Sequence, residues 1–176
     1  RFSTENRYNL QFRVYENPGF IPNALLATDI KVMKAEGIVK EMEKDSFDPL
    51  KTVILEKAQK SFPAGERSEE TGKIVKLDKK NSGQEVLIQT NSKTAAYLLL
   101  TDTYYPGWNA YVDGKKTEIL KADYLFRAVP LSKGKHSVKF IYEPVSFLVG
   151  SLITLFTVTT IVVYGGLNVI RTHFKT

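Results

Sequence analysis

Residues 95–103 read AAYLLLTDT, and residues 104–114 continue as YYPGWNAYVDG. The first segment is apolar at consecutive positions, which suits a central strand covered on both faces. Trp108–Val112 reads as a further strand and leads into Asp113–Gly114, a pair fitted to a tight hairpin turn with positive φ. The same reading extends to either side. Residues 73–77 and 85–90 alternate around Asn81, Ser82 and Gly83. Residues 117–120, 125–129 and 136–142 follow, the last two separated by Ser132, Lys133 and Gly134. Short strands with turn signals about every 8–12 residues predict a mostly β chain folded as an antiparallel β-sandwich, jelly-roll or immunoglobulin-like.

The first half is more mixed. In residues 10–15, Leu10, Phe12 and Val14 alternate with Gln11, Arg13 and Tyr15, the period of a strand, and Asn17-Pro18-Gly19 ends it as a turn. Residues 24–33 are apolar enough for one buried strand. Residues 35–44 carry Ile38, Val39 and Met42 at helical spacing, so a short helix is expected there. Ser46, Phe47, Asp48 and Pro49 close it, and residues 52–55 read as a strand. Residues 59–72, broken by Pro63 and Gly65, predict an exposed, mobile loop.

Beyond residue 143 the pattern changes. From Pro144 to Ile170 there are 27 positions without a charge. A membrane-spanning helix needs roughly 20 apolar residues, so the run is long enough to span with some tilt. Pro144 suits a first helical turn, and the Ser and Thr hydroxyls can bond back to helix carbonyls in lipid. The competing reading is the core helix of a soluble protein, which rarely needs so long an uncharged run. Arg171, His173 and Lys175 follow directly, and short basic flanks favour the cytoplasmic side. The expected organisation is an extracytoplasmic β-sandwich over residues 1–143, a transmembrane helix over 144–170 and a cytoplasmic tail over 171–176. Arg1 stands where a starting Met would, so a piece or a processed product is expected.

Composition narrows the chemistry. The 176 residues contain no cysteine and two histidines, which excludes thiolate metal sites, disulfides and a Cys nucleophile. Without Arg171 and Lys175, 23 basic residues face 19 acidic ones. The lysines are interleaved with glutamates rather than gathered in a stripe, so nucleic acid is not an expected partner. No nucleotide-binding, metalloprotease or nucleophile-elbow motif occurs. No cofactor is expected.

Asp102 and Asp113 are the acids flanking the aromatic run. Glycosidase chemistry needs two carboxylates about 5–10 Å apart across a sugar. Asp113 is better explained as a turn residue with Gly114, and Asp102 as a partner of backbone amides or of Arg127. His136 has no serine or acid at a suggestive spacing and reads as structural. The candidate contacts for a glycan or partner are Tyr104, Tyr105 and Trp108, whose rings can stack on sugar faces. Tyr124, Phe126 and Arg127 are possible completions of one surface. The plainer reading has Trp108 plugging the core while Pro106-Gly107 makes the turn. Tyr104 and Tyr105 are expected to alternate, one buried and one exposed.

The run Thr101 to Gly114 carries a resemblance. It continues, in order, through Ala122-Asp123-Tyr124-Leu125-Phe126-Arg127-Ala128-Val129, then Gly134-Lys135-His136, then Tyr142-Glu143-Pro144. This resembles the C-terminal end of bacterial YfhO-type membrane proteins, polytopic proteins related to the GT-C class of lipid-linked-sugar glycosyltransferases. Val14-Tyr15-Glu16-Asn17-Pro18 with Ile21-Pro22 is similar to an earlier family segment, and Phe47-Asp48-Pro49-Leu50-Lys51 with Val53-Ile54-Leu55-Glu56 to another. Phe20-Ile21-Pro22-Asn23 departs from the family, which more often has a small residue and Leu before this Pro and a basic residue after it.

The resemblance implies a parent with many membrane helices before Arg1. It also implies a catalytic acid in an early outer loop that engages a polyprenyl-phosphate sugar, a region absent here. This chain is then a non-catalytic outer domain and terminal anchor in the bacterial plasma membrane. Its implied partners are the lipid bilayer, the parent's preceding helices, and a cell-envelope glycan or polyprenyl-linked sugar. The alternative is a stand-alone membrane-anchored carbohydrate-binding or protein-interaction module.

Overall fold

The computed structural model describes residues 19–57, 72–80 and 83–173, together with residues 15 and 17. The strand expected over residues 10–15 and the loop expected over 59–72 lie outside the described residues, except for Tyr15 and Gly72. In chain order the elements are β1 (Ala24–Ala27), β2 (Asp29–Val32), α1 (Ala35–Met42), β3 (Thr52–Leu55), β4 (Gly72–Lys80) and β5 (Glu85–Ser92). They continue with β6 (Ala96–Leu100), β7 (Trp108–Val112), β8 (Lys115–Thr117), β9 (Leu120–Ala122), β10 (Phe126–Leu131), β11 (Gly134–Tyr142) and α2 (Val145–His173). The chain is mostly β, as its sequence predicts.

The strands form two sheets, one ordered β1-β6-β10-β9-β3-β2 and the other β4-β5-β11-β7-β8. Pairing is antiparallel except between β2 and β3, which run parallel with α1 in the connection between them. Parallel neighbours need such a crossover.

Thr28 alone separates β1 from β2, yet the two strands hold opposite edges of the six-stranded sheet. In a flat sheet those edges would lie about 24 Å apart at ~4.8 Å per strand. Two peptide units can span at most ~7.6 Å. The sheet therefore curls until its edges meet at Thr28. The first half of this bent strand pairs with β6 and the second half with β3. The single strand expected over residues 24–33 is thus two strands with a corner between them. An apolar run shows no corner, although β1 is buried throughout and β2 is half-buried with Val32 exposed.

Each face of the curled sheet has its own core. The inner face carries Leu25, Ala27, Val53, Leu55, Tyr97, Leu99, Leu120, Ala122 and Ala128. The outer face, with Ala24, Leu26, Leu98, Leu100, Val129 and Leu131, packs on Val86, Ile88, Ala110, Val138 and Phe140 of the five-stranded sheet. Every residue of β6 is buried, which is what its unbroken apolar run requires. Each fully buried Leu there contributes roughly 1.5–3 kcal/mol.

α2 has 29 residues, about 44 Å at 1.5 Å per residue. Its stretch Val145–Leu167 is long and apolar enough to cross a membrane, and none of its most apolar window is buried in the protein. Phe147 is 77% exposed, so the alternative of a soluble core helix does not fit. Ser151, Thr154, Thr157, Thr159 and Thr160 donate to carbonyls three or four residues back at 2.8–2.9 Å. Their hydroxyls are thereby satisfied without water.

Candidate functional site

β11 leads into α2 through Glu143 and Pro144, and the loop 101–107 is fastened to that junction. Tyr142 registers with Trp108 across β11 and β7. Glu143 N–H donates to Gly107 O at 2.7 Å, and Asn109 Nδ2 donates to Glu143 Oε2 at 3.0 Å. The Tyr142 ring lies 5.3 Å from that of Trp108 and 6.5 Å from that of Tyr105. Gly107 has φ +103, and a Cβ there would stand 3.0 Å from the Tyr142 ring and 3.1 Å from the Pro144 backbone. No other residue type fits this turn without displacing the foot of the helix.

Beneath the loop lies Arg127, 1% exposed. Its guanidinium sits 3.9 Å from the Trp108 ring centroid and 5.5 Å from that of Phe140. Asp102 Oδ2 is 3.3 Å from Arg127 Nη2, and Lys79 Nζ bridges both Asp102 oxygens at 3.0 and 3.1 Å. Among the described residues, Arg127 Nε and Nη1 have no hydrogen-bond partner; the Trp108 face substitutes for an acceptor. Burial draws the Arg127 pKa down, against the opposing pull of Asp102. Arg127, considered above as a surface contact, is therefore out of reach of a ligand. It acts from below, holding Trp108 in place.

Tyr104 and Tyr105 also differ from expectation. The strand stops at Leu100, and both tyrosines are exposed, at 39% and 60%. The alternation fails because Tyr104 N–H donates to Leu125 O at 2.6 Å, while Pro106 and the left-handed Gly107 turn the chain away from any strand partner.

Tyr104, Tyr105, Trp108, Asn109, Lys116 and Glu118 line, with their neighbours, an opening of about 240 Å³. A second opening, of about 160 Å³, continues from it over Tyr104, Glu118 and Ile119 to Glu56 and Lys121. Lys121 pairs with Glu56 at 2.7 Å and lies 5.1 Å over the Tyr124 ring. The Glu56 hydrogen bond raises the Lys121 pKa. The groove thus offers aromatic faces, an amide, carboxylates and ammonium groups, a set suited to holding a polyol. No cluster that could hold a metal occurs among the described residues.

One further acid does structural work that spacing did not disclose. Asp123, 6% exposed with φ +45, accepts from Ile54 N–H through Oδ1 at 2.8 Å. Its own N–H donates to Ile54 O at 2.8 Å, so one residue grips both backbone groups of Ile54 in β3. Burial pushes its pKa up to about 6, partly countered by the Ile54 amide. Tyr124, next to it, also has positive φ.

At the opposite end Asp113 and Gly114 have φ +50 and +80, the hairpin geometry expected of them. Asp113 Oδ2 lies 2.7 Å from His136 Nδ1, and Nε2 lies 3.1 Å from Ser132 Oγ. The order resembles a Ser-His-Asp triad, but Nε2 is also 3.0 Å from the Ser132 carbonyl. Nε2 thus lies as close to the carbonyl of Ser132 as to its hydroxyl, so the ring is placed to bridge the two turns rather than aimed at the hydroxyl alone. The cluster is a clamp between two turns.

A curled β-sandwich joined by two residues to an apolar helix defines a membrane-anchored β domain. A family model described as "Bacterial membrane protein YfhO" matches residues 60–154. The chain belongs to this YfhO family of bacterial membrane proteins. It is also similar to "Uncharacterized protein YfhO" of Bacillus subtilis (strain 168), 32% identical over 68 residues. That match covers 39% of the chain and 8% of the relative. No solved structure matches the chain.

Proposed function

We propose that this chain is the extracytoplasmic, non-catalytic domain and last membrane anchor of a GT-C-like glycosyltransferase. The parent would modify cell-envelope glycopolymers with sugar from a polyprenyl phosphate. In this reading Tyr104 and Trp108 stack on the glycan, and Tyr105 and Tyr124 stand at the rim of the groove. Asp102 and Arg127 hold Trp108, and Pro106, Gly107, Asp113 and Gly114 set the turns. The basic residues Arg171 and Lys175 support a cytoplasmic C-terminus in the plasma membrane, with the β domain outside.

One observation carries the reading: an aromatic, polar groove is hydrogen-bonded to the residues from which the apolar helix starts. A sugar tethered to a membrane lipid is presented at that height. The test is transfer of radiolabelled sugar from polyprenyl phosphate by the full-length parent in liposomes. Tyr104→Ala should raise KM for the acceptor glycan severalfold with kcat little changed. The 176-residue chain alone should bind glycan fragments in an NMR titration and turn nothing over. Unchanged kinetics in Tyr104→Ala together with no binding by the chain would reject the reading.

A further inference from the structure

The two ends of the sandwich expose different chemistry. At the end from which α2 leaves, Phe20, Ile21, Tyr104, Tyr105, Tyr124 and Leu125 are exposed, from 39% for Tyr104 to 65% for Phe20. Backbone bonds tie their loops together: Thr101 N–H to Asn23 O at 2.9 Å, Tyr104 N–H to Leu125 O, and Glu143 N–H to Gly107 O. At the other end the turns carry Lys93, Asp113, Ser132 and Lys133, with Leu50, 50% exposed, as a single large hydrophobic before β3 rather than a cluster. Exposed apolar groups gathered at one end of a domain indicate a surface that something covers.

The position of the helix identifies the cover. Val145, 71% exposed, begins the apolar span, and three Cα–Cα steps separate it from Tyr142, at most ~11 Å. The headgroup layer adds roughly 5–8 Å to each side of the hydrocarbon core. Tyr142 and the rings packed on it therefore stand at the depth of that layer or just above it. Tyrosine, with an apolar body and a polar tip, is enriched at this depth. The charged groups nearby suit it too. Asp102 is neutralised by Lys79 and Arg127, and Lys80, at the same end of β4, is exposed and can reach lipid phosphate.

We infer that the rim formed by Phe20, Ile21, Tyr105, Tyr124 and Leu125 rests in the headgroup layer of the leaflet facing the domain, as a lipid-contact surface separate from the spanning helix. The inference depends neither on the glycan reading nor on which side of the membrane the domain occupies.

The chain has no cysteine, so single probes can be placed. Tyr105→Cys, Leu125→Cys and Phe20→Cys report on the rim and Lys133→Cys on the far end. Each whole-chain variant is labelled with an environment-sensitive fluorophore in nanodiscs of phosphatidylethanolamine and phosphatidylglycerol. Three rim sites guard against one variant failing to fold, which circular dichroism reports. Rim labels should be quenched severalfold more by headgroup-level spin-labelled lipid than the Lys133→Cys label, and severalfold less by aqueous iodide. Rim labels as open to iodide as the Lys133→Cys label would overturn the inference. So would rim labels shielded from both quenchers, since protein would then be the cover.

Discussion

Replacing Asp123 by Asn should stabilise the domain at neutral pH and do nothing in acid. The carboxyl is held among apolar neighbours with its pKa raised from the ordinary 3.8 to about 6. Below the unfolded value both states hold the proton and no cost arises. Between the two values the unfolded chain ionises while the folded one does not, so stability falls as pH rises through that window. Above about 6 the loss is complete. A difference of about two pKa units corresponds to about 3 kcal/mol at most. Asparagine keeps the shape, tolerates a positive φ and can still accept from Ile54 N–H through its own oxygen. Thermal unfolding of the whole chain in detergent, followed by circular dichroism between pH 3.5 and 8, measures the effect. D123N should raise Tm by up to ~10 °C at pH 7.5, and the two curves should meet near pH 4. A loss of stability at neutral pH would show that the charged carboxylate's bond to Ile54 outweighs its desolvation, refuting the argument.

Arg127→Lys should cost roughly 2 kcal/mol, because an ammonium cannot stack flat on Trp108. Since Trp108 is the chain's single tryptophan, its emission should shift to the red, and an unshifted spectrum would count against the stack. Gly107→Ala should cost about 1–3 kcal/mol through its left-handed φ and the crowding at Tyr142 and Pro144, with faster amide exchange at Glu143 as the local readout. Asp113→Asn should flatten the acid limb of the stability curve. The His136 bond lowers the Asp113 pKa, so its contribution is present above the unfolded value and is lost as pH falls through the lower folded one. Identical acid limbs would refute it.

Much of this architecture was legible in the residues. The run over 95–103 required a strand buried on two faces, and β6 is that strand. Asp113-Gly114 required a hairpin, and both φ values are positive. What stayed hidden was non-local. Nothing in residues 24–33 marks Thr28 as the point where two sheet edges meet, since closure depends on partners in β3 and β6, about 25 and about 70 residues away in the chain. Arg127 could not be recognised as buried, because a cation alternating with apolar neighbours normally reads as a solvent face. The Ser132–His136–Asp113 cluster was missed because Asp113 is 23 residues from His136.

The buried cation also explains how the groove and the helix foot come to share one geometry. Arg127 belongs to the curled sheet, where it registers with Leu100, whereas Trp108 and Tyr142 belong to the five-stranded sheet that feeds α2. The 3.9 Å stack is therefore a bond between layers. Apolar packing alone would let the two layers slide by small amounts at little cost. A guanidinium fixed by Asp102 on one side and an indole face on the other has one position. Because arginine keeps its charge across the accessible pH range, the contact between its guanidinium and the indole face does not itself titrate, whereas the Asp113–His136 clamp at the opposite end weakens in acid.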